Sequence, residues 1–170
     1  MAMKRLSRRT RRTVLIVLAA AAALAAAFFL MSGSSDIVKL NHYSVMDWKL
    51  GERIDGVASV SDAERGIDGY EFFSDGKGSG LKAVNAETRY YLGEYGGKFC
   101  VTGFSSNESD CSVMSIRVGD DELKSKTLLL DKGFRMKEGG YNACRAASGE
   151  VYVELGFSRG IVIEVSAYLT

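Results

Sequence analysis

The sequence predicts an α+β fold, in which an N-terminal transmembrane or signal helix precedes one strand-rich domain with a meandering antiparallel sheet. Three observations lead to this prediction. An apolar run lies near the N-terminus, apolar residues alternate along the end of the chain, and Gly-Phe-Ser occurs twice in similar apolar surroundings. The repeated motif indicates that two related halves, each containing a hairpin, build the sheet.

The N-terminus is typical of a targeting or anchoring element, which stands apart from the fold. Residues 1–13 form a basic tail, and residues 14–31 contain no polar side chain. A helix of that length spans about 27 Å, which is just enough to cross a bilayer. The predicted membrane anchor is formed by Val14, Leu15, Ile16, Val17, Leu18, Leu24, Phe28, Phe29, Leu30 and Met31.

Charges beside the apolar run predict its orientation. The arginines that set the topology are Arg8, Arg9, Arg11 and Arg12. Because basic residues stay in the cytoplasm, the chain is expected to cross the cell membrane once, with its C-terminal domain outside. Bulky residues 28–31 favour an uncleaved anchor, whereas the alanines at 25–27 offer a cleavage site that would give a secreted protein. Residues 10–16, TRRTVLI, also resemble a twin-arginine export signal.

Composition limits the function of the remaining domain. Residues 32–36 are interpreted as a short tether, and residues 37–170 are enough for one domain with a core. The chain has 22 Lys and Arg and 21 Asp and Glu, but six of the basic residues lie in the N-terminal tail, which leaves a net charge near −5. This balance argues against a nucleic-acid partner, because such partners usually meet a basic face.

Two strands are predicted near the C-terminus. In residues 151–157, VYVELGF, and residues 161–169, IVIEVSAYL, every second side chain is apolar. Only Ser158, Arg159 and Gly160 separate the two segments. They are therefore expected to form a hairpin whose turn uses glycine at a positive φ.

The same arrangement is predicted earlier in the chain. Residues 98–118 align with residues 151–165 and share Gly-Phe-Ser, so they are expected to form a second hairpin. The spacing between the copies is too long for a solenoid repeat. The two halves are expected to cover about residues 41–120 and 121–170.

Apolar elements that contain Leu and Gly precede both hairpins, at residues 45–57 and 126–136. The first half also has an insertion before its hairpin. Within it, Ser61 and Glu64 form a capping box that predicts one helical turn, and residues 81–89 are a candidate short helix. Trp48 is expected to be a core anchor.

A short Leu-Gly element, a variable segment and a hairpin of the form G-F-x…V-x-x-I-x-V are thus given twice behind an export segment. This plan resembles the small exported proteins related to beta-lactamase inhibitor protein and to the small outer-membrane assembly lipoproteins. The resemblance covers most of residues 41–170. The chain departs from the family pattern because it has no lipid-bearing cysteine. The resemblance implies a binding or assembly module rather than an enzyme.

The cysteines are expected in a compartment where disulfides persist. Cys100 aligns with the apolar Val153 and is expected in the core, which leaves Cys111 and Cys144 as the predicted disulfide. Three cysteines and His42, the one histidine of the chain, are a poor ligand set for zinc. No metal and no cofactor are expected.

Tyrosines are the candidate binding residues, because they are large, rigid and polar at the tip. Tyr90, Tyr152 and Tyr168 are predicted to mark a binding face, and Tyr90 and Tyr91 must point to opposite sides of a strand. A sheet protein without a binding role also carries tyrosines on its outer face, so both interpretations stand.

Residues 156–160, GFSRG, match the G-x-S-x-G pattern of serine hydrolases. A secreted hydrolase using Ser158 is the alternative function, but it needs a base, and no histidine follows Ser158. The match is therefore interpreted as a turn, with no catalytic residue expected. The predicted function is a membrane-anchored, extracytoplasmic, non-catalytic module with two partners: the lipid bilayer and an unknown protein or envelope component.

Overall fold

The computed structural model describes residues 36–137 and 143–170. Strands make up 47% of the structure and helices 16%, and most of the strands belong to one large antiparallel sheet. The predicted α+β class is therefore wrong, because the helices are too few and too short to form a layer equal to the sheet. The antiparallel sheet itself is confirmed.

The predicted anchor at residues 14–31 and the topology-setting arginines lie outside the described residues. Among the residues that are described, no helix is long and apolar enough to span a membrane.

The described part of the chain contains three helices and ten strands. The helices are α1 (Asp36–His42), α2 (Val60–Ala63) and α3 (Glu122–Asp131). The strands are β1 (Tyr70–Asp75), β2 (Gly78–Ala83), β3 (Arg89–Tyr95), β4 (Lys98–Ser106), β5 (Ser112–Val113), β6 (Ile116–Arg117), β7 (Arg135–Lys137), β8 (Ala143–Ser148), β9 (Val151–Ser158) and β10 (Ile161–Leu169).

Eight strands form the main sheet in the order β1-β2-β3-β4-β10-β9-β8-β7. Each half of this order is a four-stranded antiparallel meander. The two meanders join where β10 pairs with β4, with Ala167 opposite Phe104 and Tyr168 opposite Gly103. Strands β5 and β6 form a separate two-stranded ribbon.

The predicted hairpin over residues 98–118 is wrong. The neighbours of β4 are β3 and β10, while β5 and β6 pair with each other. Met114 and Ser115, both at positive φ, close a tight turn between β5 and β6. The segment after β4 therefore folds on itself instead of returning along β4.

The C-terminal hairpin is confirmed. Strands β9 and β10 pair in an antiparallel ladder, and the connecting residues Arg159 and Gly160 have φ values of 52° and 77°. Positive φ at both positions is typical of a type I′ turn, whose twist matches that of the flanking strands. Phe157 is 5% exposed and packs in the core, whereas Ser158 is exposed.

One face of the sheet packs against the helices and the β5–β6 ribbon. The residues outside the main sheet that complete this core are Leu40, Leu50, Ile54, Val57, Ala63, Val113, Met114, Ile116, Leu129 and Phe134. Burying each large apolar side chain stabilises the fold by about 1.5–3 kcal/mol. Trp48 packs against this core, with its ring centroid 4.3 Å from Tyr70 and 4.9 Å from Tyr90, which confirms its predicted role.

Local helix predictions were only partly right. Helix α2 begins after Ser59, whose hydroxyl accepts a hydrogen bond from the backbone N–H of Asp62, so the predicted Ser61 capping box is displaced by two residues. Residues 81–89 form no helix, because Asn85 adopts a φ of 63° in the turn between β2 and β3. Helix α3, capped by the Asp121 carboxylate, was not predicted.

Candidate functional site

Neighbouring tyrosines on β3 show that the sheet has two distinct faces. Tyr90 is fully buried in the core, and its hydroxyl accepts a hydrogen bond from the backbone N–H of Asp47 at 2.8 Å. Tyr91 points the other way, because side chains alternate along a strand. Tyr90 therefore does not share a face with Tyr152 and Tyr168, and its assignment to the binding face is wrong.

We call the sheet surface opposite the core the open face. Four aromatic rings cross it in a row that runs from β1 through β3 and β10 to β9. The ring centroids of Phe73 and Tyr91 are 5.2 Å apart, those of Tyr91 and Tyr168 are 5.5 Å apart, and those of Tyr168 and Tyr152 are 4.9 Å apart. The structure thus brings Tyr152 and Tyr168 together, as a stacked pair, and adds two residues that were not predicted.

Gly103 makes room for this aromatic row at the junction of the two meanders. A Cβ atom at this position would lie 2.4 Å from the Cδ1 atom of Tyr168 and 3.3 Å from the Cβ atom of Tyr91. Both distances are shorter than ordinary van der Waals contact. A residue without a side chain is therefore what allows the Tyr168 ring to lie against β4.

Charged side chains surround the first half of the row. The Lys77 ammonium donates to the Tyr168 hydroxyl at 3.4 Å, and the Tyr91 hydroxyl donates to Asp75 Oδ2 at 3.3 Å. The Arg89 guanidinium lies 5.8 Å from the Phe73 ring centroid and 3.8 Å from the Asp75 carboxylate. These contacts hold the rings in fixed positions, which reduces the entropy lost when a partner binds.

Two carboxylates lie beside the second half of the row. Glu164 Oε1 accepts hydrogen bonds from the hydroxyls of Ser105 at 2.8 Å and Ser166 at 3.2 Å. Glu154 Oε1 accepts from Arg145 at 3.2 Å, whereas the buried Glu154 Oε2 has no hydrogen-bond partner among the described residues. An unpaired buried oxygen of this kind costs about 1–3 kcal/mol.

A polar cavity of about 270 Å³ opens beside Glu164. Its lining residues are Glu87, Arg89, Ser105, Asn107, Ile163 and Glu164. Arg89 is one of the charged side chains around the first half of the row, and Glu164 is one of the carboxylates beside the second half. The cavity therefore lies between these two sets of charged side chains. A partner on the open face would therefore meet cations and carboxylates on either side of an aromatic strip.

The tyrosine hydroxyls of the row stay protonated at neutral pH. Burial raises the pKa of Tyr91 to about 12, and the neighbouring Tyr168 and Asp75 add to this shift. Burial also raises the pKa values of Tyr152 and Tyr168. The row is thus a neutral surface that can donate hydrogen bonds.

All three cysteines are free thiols, so the predicted disulfide between Cys111 and Cys144 is wrong. Cys111 Sγ lies 3.6 Å from Thr88 Oγ1 at the start of β3, and Cys144 Sγ lies 3.8 Å from Met136 Sδ. From β3 to β8 is four strand spacings, or about 19 Å along the sheet, far beyond the reach of a disulfide.

Cys100 is 2% exposed, as predicted for a buried residue. It does not, however, belong to the main core cluster. Burial raises the pKa of each of the three thiols. In the described parts of the chain, no group of three or more His, Cys, Asp or Glu side chains is placed to hold a metal ion.

Ser158 ends β9 and is followed by a two-residue turn and then by β10. A nucleophile elbow instead joins a strand to a helix and raises the serine above the sheet. His42 lies on α1, where its ring contacts Tyr43 at a centroid distance of 4.8 Å. The GFSRG segment thus has the geometry of a hairpin turn.

Comparisons of the chain with protein-family models, with curated proteins and with solved structures find no match.

Proposed function

We propose that this protein is a non-catalytic binding or envelope-assembly module that acts outside the cytoplasm, where its N-terminal segment delivers it and holds it at the membrane. Its partner is a protein or another envelope component, and the partner binds to the open face. The aromatic row of Phe73, Tyr91, Tyr168 and Tyr152 is the observation that carries this proposal.

Three properties of the row support a binding role. Aromatic side chains contribute a large contact area for little loss of side-chain entropy. The central rings, Tyr91 and Tyr168, are only 5% and 9% exposed and are fixed by their neighbours. The end rings, Phe73 and Tyr152, are half-buried and remain accessible to a partner. Rigid aromatic anchors with a charged rim are typical of protein interfaces.

Site-specific photo-crosslinking in native membranes tests the proposal. A photoreactive phenylalanine analogue is placed either at Arg145, which is exposed on the open face, or at Leu123, which is 73% exposed on α3. We expect a discrete crosslinked species from position 145 and none from position 123. Adding Tyr152→Ala should reduce the yield at position 145 at least fivefold, because truncating an interface tyrosine commonly costs more than 1 kcal/mol.

Crosslinks of equal yield at both positions, or at position 123 alone, would contradict a binding role for the open face.

A further inference from the structure

Among the described strands, β1 forms one edge of the main sheet and pairs with β2 alone. The ladder between them is regular over six residue pairs, from Tyr70 opposite Ala83 to Asp75 opposite Gly78. The opposite edge is the three-residue strand β7. The longer and more regular edge is therefore the one at β1.

The hydrogen-bond phase of the ladder shows which backbone groups of β1 point away from the sheet. The carbonyl of Gly69 accepts a hydrogen bond from the N–H of Val84, so residues 69 and 84 form a hydrogen-bonded pair. In an antiparallel ladder every second pair is hydrogen-bonded, and the pairs between them are not. Residues 71, 73 and 75 therefore bond to β2. The backbone groups of residues 70, 72 and 74 point outward.

Only the first of these three outward residues has a backbone partner. The N–H of Tyr70 donates to the carbonyl of Ile67 at 3.0 Å, in the turn that enters β1. Among the described residues, no backbone or side-chain group bonds to the outward N–H and C=O groups of Phe72 and Ser74. Two donors and two acceptors are thus left in the geometry that an added strand would satisfy.

This edge lacks three features that often protect an edge strand from pairing, namely a proline, a bulge and a lysine. Its charged side chains are the acidic Glu71 and Asp75. The chain contains no proline, and β1 has the sequence YEFFSD, without a lysine. Phe72 and Phe73 point to opposite faces, so each face offers an aromatic side chain for cross-strand contact.

Charge at the edge indicates the chemistry of the added strand. Asp68 and Glu71 are exposed, and neither forms an ion pair with another described residue. Lys82 lies opposite Glu71 in the ladder, but its ammonium pairs with Glu87 at 2.8 Å instead. A basic residue in the added strand would therefore meet an uncompensated carboxylate.

We propose that β1 binds an extended segment of another protein as a ninth, antiparallel strand. From its N-terminal side, that segment has an apolar residue opposite Phe73, an apolar residue opposite Phe72 and a basic residue opposite Glu71. This inference goes beyond the proposed function because it uses the backbone groups of the sheet edge; the side chains opposite Phe73 and Glu71 would extend the open face.

A second copy of this chain fits the edge less well. Antiparallel pairing of two β1 strands over three or more residues has four registers, centred on Glu71, Phe72, Phe73 or Ser74. The first places Glu71 opposite Glu71 of the copy, and the third places it opposite Asp75. The second and fourth oppose no like charges, but β1 has no basic residue to place opposite Glu71, so its carboxylate stays uncompensated. Like charges directly opposite each other destabilise a strand pair.

A display selection tests the proposal. Random heptapeptides are selected on the full-length protein, kept in a mild detergent and carrying a C-terminal tag. The Ser74→Pro and Ser74→Ala proteins are the matched targets. Proline removes the outward N–H of Ser74 without breaking a bond to β2, whereas alanine removes only the hydroxyl that contacts Ser79 at 2.9 Å. Circular dichroism confirms that each variant keeps the fold of the parent.

We expect enriched peptides with the apolar-apolar-basic pattern, bound equally by the parent and Ser74→Ala and at least tenfold more weakly by Ser74→Pro. Glu71→Lys should lose the preference for the basic residue. Amide exchange at Phe72 and Ser74 should slow when such a peptide binds.

Failure to enrich any peptide, or equal binding by Ser74→Pro, would overturn the proposal. Protection of Phe72 and Ser74 that depends on protein concentration in the absence of peptide would instead assign the edge to a second copy. These results can be separated from those of the photo-crosslinking test, because Arg145 and Tyr152 lie on β8 and β9, in the other half of the sheet from β1.

Discussion

Gly103 and Tyr168 show how a single residue shapes the open face. They lie directly opposite each other where β4 pairs with β10. Because a Cβ atom at position 103 would overlap the Tyr168 ring, either the ring or β4 must move when a side chain is added. The aromatic row therefore depends on the absence of a side chain at position 103.

We therefore expect Gly103→Ala to lower the free energy of unfolding by about 1–3 kcal/mol, the usual cost of overpacking. Urea denaturation followed by circular dichroism measures the effect. Gly76→Ala is the matched control, because nothing lies within 4 Å of a Cβ atom there. The control should change the free energy by less than about 0.5 kcal/mol. Equal effects of the two substitutions would show that Tyr168 does not pack against Gly103.

Tyr91 makes the stability of the domain depend on pH in the alkaline range. Its pKa is raised from 10 to about 12 on folding, so the unfolded chain releases this proton first. The stability that Tyr91 contributes is complete below pH 10 and is lost as pH rises toward 12. Tyr91→Phe removes this proton. The free energy of unfolding should therefore decline less steeply in the variant between pH 10 and 12, by about 1.4 kcal/mol per pH unit.

Chemical denaturation of both proteins at pH 8, 9, 10 and 11 measures this difference in slope. The comparison of slopes removes the pH-independent cost of losing the hydroxyl contact with Asp75. Parallel curves up to pH 11 would mean that the Tyr91 hydroxyl ionises equally in the folded and unfolded chains.

At the scale of elements, the sequence predicted what local residues determine. The β9–β10 hairpin was predicted correctly because alternation and a two-residue turn with Gly160 are both local signals. Helix α3 was missed because Leu128, Leu129 and Leu130 are consecutive, so the segment shows little helical periodicity. Its start is marked by the Asp121 cap, a signal that the sequence did contain.

Residues 98–118 show the limit of local reasoning. The alternation along β4 was correctly interpreted as a strand, but its partner β10 lies about sixty residues away in the sequence. A strand pattern indicates which face is buried and not which strand lies beside it. The error at Tyr90 has a different cause. Tyr90 and Tyr91 are consecutive tyrosines, so alternation assigns them to two faces without indicating which one meets the core.

At the scale of the whole molecule, the two proposed surfaces meet at β1. The aromatic row crosses the junction of the meanders on the open face and ends at Phe73, which lies on the edge strand itself. The covered face is occupied by the helices and the β5–β6 ribbon. A module with this arrangement can hold one partner on its open face and a second, extended segment at its edge.

The proposed location outside the cytoplasm gives the last prediction. Ser158→Cys places a thiol in the exposed β9–β10 turn. This variant and its control Ser7→Cys are made in a chain whose partly exposed Cys111 is replaced by serine, and the remaining Cys100 and Cys144 are only 2% and 3% exposed and should react slowly. We expect a membrane-impermeant maleimide to label Ser158→Cys as fully in intact cells as in lysed cells. Ser7→Cys, in the basic tail, should be labelled only after lysis if the anchor is retained, and should be absent from the mature protein if the segment is cleaved. Labelling of Ser158→Cys only after lysis would place the domain in the cytoplasm and contradict the proposal.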